Sequence, residues 1–235
     1  MLWVTLTRKT NSEASRPERH AATPTAEGVA ATGERRTIPH EELMQLPVVR
    51  YHGPIHSVLT EEDLHCAVRE IRAERVVGFD TESRPSFRKG KSHAPSLVQI
   101  ATSRAVHLFQ LKRLDCSHAL AEVLGSAKTV KAGIALGRDM AELQKLFPFT
   151  PANVVDLGDI AKRRGIGQTG LRNLAGLFLG GRITKGPQTS NWARANLSPS
   201  QLCYAATDAW ACRELYLRFE TLGLLAREGA ATGPV

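Results

Sequence analysis

Asp80 and Glu82 occur in VVGFDTES, Asp139 in VKAGIALGRDMAEL, and Tyr204 and Asp208 in QLCYAATDAW. Asp80 and Glu82 are two apart on a β-rich run, so their side chains leave one face of a strand. Tyr204 and Asp208 are four apart in a helical pattern and share a face as well. Asp139 follows Gly137 and is expected in the first turn of a helix, a place where the dipole alone favours an acid. Singly, each residue says little. Together they can converge, and four carboxylates brought to one spot would lose several kcal/mol on burial unless a cation neutralised them. Hard oxygen ligands of this kind suit Mg²⁺ or Mn²⁺, and a carboxylate-held metal pair is a common device for hydrolysing phosphodiesters.

The charge distribution fits an acidic centre in a basic surround. The chain carries a net charge of +8, and residues 1–37 hold six basic and four acidic groups, so most of the excess lies beyond them. Residues 83–114 contain no acid but include Arg84, Arg88, Lys89, Lys91, Arg104, Lys112 and Arg113. Residues 160–207 also lack acids and include Lys162, Arg163, Arg164, Arg172, Arg182, Lys185 and Arg194. Each stretch adjoins a carboxylate motif, as a polyanionic substrate would require. A solvated face serving solubility is the plainer reading of either stretch alone. Arg84, Arg88, Lys89 and Lys91 are the candidate phosphate contacts. Lys131 beside its strand and Trp192 in SNW are further candidates, the latter by stacking on a base or by docking its loop onto the core.

These residues need elements to position them. Residues 1–37 show no hydrophobic period and read as a disordered tail; residues 38–225 read as one folded domain and 226–235 as a flexible end. IPHEELMQLP is expected as a short helix and VVRYHGPIHSVL as a strand. Ser57 or Thr60 can cap a helix through EEDLHCAVREIRAE. RVVGFDTE, SLVQIATS and AVHLFQL read as strands, the last two as a hairpin. Ser117–Gly125 reads as a helix, KTVKAGI as a strand, RDMAELQKLF as a helix ending at Pro148, and VVDL as a strand. LGDIAKRR and LRNLAGLFLG read as helices, the second closed by Gly180-Gly181. Ser198-Pro199 opens a final helix through SPSQLCYAATDAWACRELYLRFETLG. Strands joined by helices with one hairpin among them imply an α/β fold, a mixed sheet packed by helices.

GFDTE, LVQIAT, KAGIALGRDMAEL and YAATDAWA resemble the three motifs of the DEDD superfamily of 3′–5′ exonucleases, and Tyr204-x-x-x-Asp208 marks its tyrosine-bearing branch. The resemblance covers about residues 50–222 and is nearest to the Werner-type exonuclease domain, with ribonuclease D further off. It implies a ribonuclease H-like fold and two divalent ions about 4 Å apart, either Mg²⁺ or Mn²⁺. On that resemblance Asp80 would bridge both ions, Glu82 and Asp208 would hold the one that activates water, and Asp139 would support the other. Tyr204 would position the water and help remove its proton. Ser83-Arg84 replaces the aromatic start of the Werner form, so the resemblance does not carry over the contacts to the terminal base.

The expected partner is nucleic acid with a free 3′ end, and nothing in the sequence separates DNA from RNA. Ribonuclease D-like or oligoribonuclease-type RNA processing or degradation is the alternative within the enzyme class. Outside it stands a catalytically silent nucleic-acid-binding module, which should have lost a site residue; all five are present. With no helicase, polymerase or accessory RNA-binding segment, a freestanding nuclease is expected. No apolar run has membrane-span length, the start lacks a signal-peptide core, and Cys66, Cys116, Cys203 and Cys212 form no CxxC pair. A cytoplasmic protein with reduced thiols is the resulting expectation.

Overall fold

In a computed structural model of the protein, the described residues are 37–85, 93–187 and 189–226. Apart from Thr37 and Ala226, the expected tail and C-terminal end lie outside them. Six strands form one sheet: β1 (Ile55–Val58), β2 (Val76–Ser83), β3 (Pro95–Ala101), β4 (Val106–Gln110), β5 (Val130–Gly133) and β6 (Val154–Asp156). Their order is β1-β4-β3-β2-β5-β6. β2, β3 and β4 are antiparallel neighbours, while β1 on β4 and β5 and β6 beyond β2 are parallel. The sheet is therefore mixed, as expected, and β3–β4 is the expected hairpin.

Helices cover both faces. On one lie α2 (Glu61–Ala73), α3 (Ser117–Gly125) and α4 (Leu136–Gln144), whose Leu64, Ile71, Leu120, Val123, Met140 and Leu143 pack on Val77, Phe79, Val98 and Ile100 of the sheet. On the other lie α5 (Leu157–Arg163), α6 (Leu171–Leu179) and α7 (Pro199–Thr221). The short α1 (His40–Gln45) precedes β1 and lays Leu43 against α6 at Gly176.

Local chemistry starts the long helices where the sequence says. Thr60 accepts a hydrogen bond from the Asp63 N–H and the Asp63 carboxylate accepts one from the Thr60 N–H, closing a capping box on α2. Ser198 and Gln201 repeat the device on α7, with Pro199 in the first turn. Gly180, at φ 65°, ends α6 in the left-handed region that favours glycine.

Two expectations change. The predicted strand VVRYHGPIHSVL shrinks to Ile55–Val58, because Val48–Val49 instead pairs with Arg182 on the connection leaving α6. The helix expected to run to Pro148 starts at Leu136 and stops at Gln144, and its last carbonyls are closed by a turn in which Leu146 and Phe147 N–H groups donate to Leu143.

Candidate active site

Strand parity places the acids. Gly78, Asp80 and Glu82 leave β2 toward α7, whereas Val77, Phe79 and Thr81 leave toward α2–α4. Gly78 is the point of closest approach: a Cβ there would lie 1.8 Å from the Ala209 carbonyl oxygen. Ala205, Ala206 and Ala209 keep that face of α7 small, and all three are fully buried. The helix thus lies directly on the strand, and Asp208 reaches the two acids of β2. One carboxylate oxygen each from Asp80, Glu82 and Asp208 lies within 4.8 Å of the others.

Asp139 reaches the same strand from the opposite face. Thr81 donates a 2.8 Å hydrogen bond to its carboxylate. Its helix is positioned by a residue that sequence reasoning passed over: Asp156 accepts from the Leu136 N–H at the start of α4 and from the Gly158 N–H at the start of α5. Ala135, at φ 57°, makes the sharp entry to α4. The VVDL run held the only signal for Asp156, an acid just before a helix.

The electrostatics describe a centre with too much negative charge for its surroundings. Burial, then the Asp208 and Asp139 charges, pushes Asp80 well above the ordinary carboxylate range. Burial and the charges of Asp80, Asp208 and Asp139 raise Glu82 to about 10. Asp208 rises to about 7 through burial, although Tyr204 and the Arg172 charge pull it down. Asp139 is raised by burial against the lowering effect of its Thr81 bond. Among the described residues, none of these carboxylates makes an ion pair with a lysine or arginine. Three converging oxygen donors with no lysine or arginine ion-paired to them among the described residues are a donor set that fits a hard divalent cation.

Tyr204 stands one turn before Asp208, and its hydroxyl interacts with that carboxylate; burial first, then the neighbouring acids, hold the phenol above its ordinary pKa. The ring is fixed on two sides. A Cβ on Gly186 would lie 2.8 Å from Tyr204 Cδ2, and the Trp192 ring centroid is 6.0 Å from that of Tyr204.

The expected nucleic-acid contacts divide. Arg84 is exposed just past the end of β2. Arg88, Lys89 and Lys91 lie outside the described residues. Trp192 is fully buried against Leu97, Ala205 and Ala209, so it braces the loop and Tyr204 and presents no face to a base. Lys131 is likewise corrected. It pairs with Val77 in the parallel β2–β5 register and so points away from Asp80 and Glu82. It is fully buried, with Nζ donating to the carbonyls of Ser126 (2.6 Å) and Thr129 (3.0 Å), and no phosphate can reach it.

A mixed sheet with these acids at its centre and helices on both faces defines a ribonuclease H-like fold. The family model described as 3′-5′ exonuclease matches residues 55–223, and the chain belongs to that family. It is 30% identical over 154 residues to the mouse bifunctional 3′-5′ exonuclease/ATP-dependent helicase WRN, covering 63% of this chain and 11% of that protein. It is 30% identical over 186 residues to ribonuclease D of Granulibacter bethesdensis, covering 77% of this chain and 45% of that one. The chain thus spans less than half the length of either. The crystal structure of the Aedes aegypti Nibbler EXO domain superposes with a TM-score of 0.67 at 24% identity, over 74% of this chain and 92% of that one, and shows the shared fold.

Proposed function

We propose that this chain is a metal-dependent 3′–5′ exonuclease of the tyrosine-bearing branch, releasing nucleoside monophosphates from the 3′ end of DNA or RNA. The observation that carries the reading is the meeting of Asp80, Glu82 and Asp208 within 4.8 Å, with Tyr204 beside Asp208 and Asp139 on the adjoining helix. Asp80, Glu82 and Asp208 would hold divalent cations, Mg²⁺ or Mn²⁺, with Asp139 supporting a second ion. Two such ions, when bound, stabilise charge on the attacking and leaving oxygens of an in-line displacement. The protein's own part is positional. The carboxylates fix where a phosphate can sit, and the Tyr204 hydroxyl orients the attacking water, held by the packing of Gly186 and Trp192 on its ring. Arg84 and, on the sequence, Arg88, Lys89 and Lys91 would lead the strand to the site as phosphate contacts.

Membership of the 3′-5′ exonuclease family favours hydrolysis over a silent binding role. Among the described residues no helix is long and apolar enough to cross a membrane. The four cysteines are unpaired, which supports a cytoplasmic setting. The test is to incubate the full chain with Mg²⁺ or Mn²⁺ and labelled DNA and RNA strands of one sequence. Mononucleotide release by the parent and its loss in Asp80→Ala are expected. Equal cleavage by both proteins contradicts the site. Faster release from RNA would select the ribonuclease D-like alternative.

A further inference from the structure

A cation stands beside the carboxylate cluster that the motifs do not include. Arg172 lies in the first turn of α6, and its position relative to Asp208 follows from how α6 meets α7. Ala175 of α6 packs with Ala211 of α7, and further along both helices Phe178 meets Phe219 edge-on, with ring centroids 4.9 Å apart. Both contacts join α6 to α7, and Ile183 just beyond α6 shares the Ala175–Ala211 cluster.

The Arg172 side chain is half-buried and anchored: Nε donates to the Ile183 carbonyl at 3.0 Å. Its two terminal nitrogens have no partner among the described residues and form no ion pair with Asp208. Ile183 lines one pocket with Tyr204 and Thr207, so the anchored guanidinium lies against the stretch of α7 that carries Tyr204 and Asp208. A guanidinium clamped by one nitrogen, with its outer fork open beside a cluster of metal-ligand type, is arranged to receive an anion that also faces that cluster.

We infer that Arg172 is a substrate-contacting cation whose terminal guanidinium nitrogens hold an oxygen of the phosphate group at the Asp80–Glu82–Asp208 cluster. This rests on the exonuclease reading, since it presumes that the phosphate of a nucleotide sits there. It adds a charge-assisted contact that stays when the cleaved nucleotide remains as a 5′-monophosphate.

The test uses adenosine 5′-monophosphate as probe, with adenosine as the uncharged control, bound to the Mn²⁺-loaded full chain and followed by calorimetry. Arg172→Gln is expected to weaken monophosphate binding roughly 10-fold or more, the size of one lost hydrogen bond to a charged group. Adenosine binding should be unchanged. KM for a labelled strand should rise in step, and Arg172→Lys should recover part of the affinity as a point charge without the fork. Thermal melting of each variant reports whether the loss of the Ile183 anchor has unsettled the fold. Unchanged monophosphate affinity in Arg172→Gln, with only the Mn²⁺ dependence altered, would overturn the inference and leave Arg172 acting on Asp208 alone. Equal loss of affinity for monophosphate and for adenosine would overturn it too, as a packing effect. Absence of hydrolysis in the parent would count against the exonuclease reading, while the monophosphate comparison would still decide the role of Arg172.

Discussion

At the residue scale, two side chains carry distinct expectations. Tyr204→Phe keeps a ring of the same size between Gly186 and Trp192 and removes only the hydroxyl beside Asp208. Turnover should fall by roughly 10²–10⁴-fold, the usual size of a positioned proton-handling group, with strand affinity nearly unchanged; single-turnover rates beside binding constants will show whether the two separate. Lys131 predicts a pH effect. Burial lowers it from 10.5 to about 8 in the folded protein. Between those values the unfolded chain binds more protons, so this group makes stability rise with pH across that window. The total is on the order of 3 kcal/mol. The difference between parent and Lys131→Met in urea melts at pH 7.5 and pH 10 isolates it, and a parallel pH response in both proteins would contradict it. Asp80 with Glu82, and Tyr204 with Asp208, were legible because strand and helix periodicity fixes which side chains share a face, whereas Asp139 was legible only through the motif resemblance. Lys131 was not, since a basic residue next to a motif reads as a ligand contact until tertiary packing shows it buried; for Trp192 the sequence left base stacking and docking onto the core open, and packing decides for the second. Asp156 gave a weak signal because its three hydrogen-bond donors, from Leu136, Gly158 and Asp159, begin two different helices.

At the element scale, the contact of α7 with β2 sets the site. Gly78 and the three buried alanines let a helix that carries an acid lie on a strand that carries two. Gly78→Ala should push α7 off the strand and destabilise by about 3 kcal/mol, the upper part of the usual overpacking range. Denaturant midpoints give that figure, and metal-induced stabilisation should fall in the same variant because the cluster widens. A well-folded Gly78→Ala protein with parent-like response to Mn²⁺ would show that the close approach is not what aligns the acids. Helix boundaries on Thr60, Ser198 and Gly180 were readable because capping is local chemistry. The extent of β1 was not: Gly53-Pro54 interrupts the apolar run, and the preceding residues pair with Arg182, more than a hundred positions away. The early end of α4 has the same character, being set by a turn whose donors come from Leu146 and Phe147.

At the scale of the whole molecule, the sheet order brings three distant segments to one place. β2 supplies Asp80 and Glu82 at the centre, β5 leads through Ala135 into the helix of Asp139, and the last helix returns across the sheet with Tyr204 and Asp208. Two acid-free basic stretches flank those segments in sequence, a charge distribution suited to a polyanionic substrate. Removing the charge of one cluster acid should relieve repulsion in the metal-free protein while abolishing its response to metal. The most direct test of the account follows 5′-labelled single strands in Mg²⁺ or Mn²⁺, with parent and Asp208→Asn run side by side. With the parent, a ladder that shortens one nucleotide at a time from the unlabelled 3′ end is expected, and with Asp208→Asn an intact strand. Immediate release of the labelled 5′ nucleotide, or a parent-like ladder from Asp208→Asn, would contradict it.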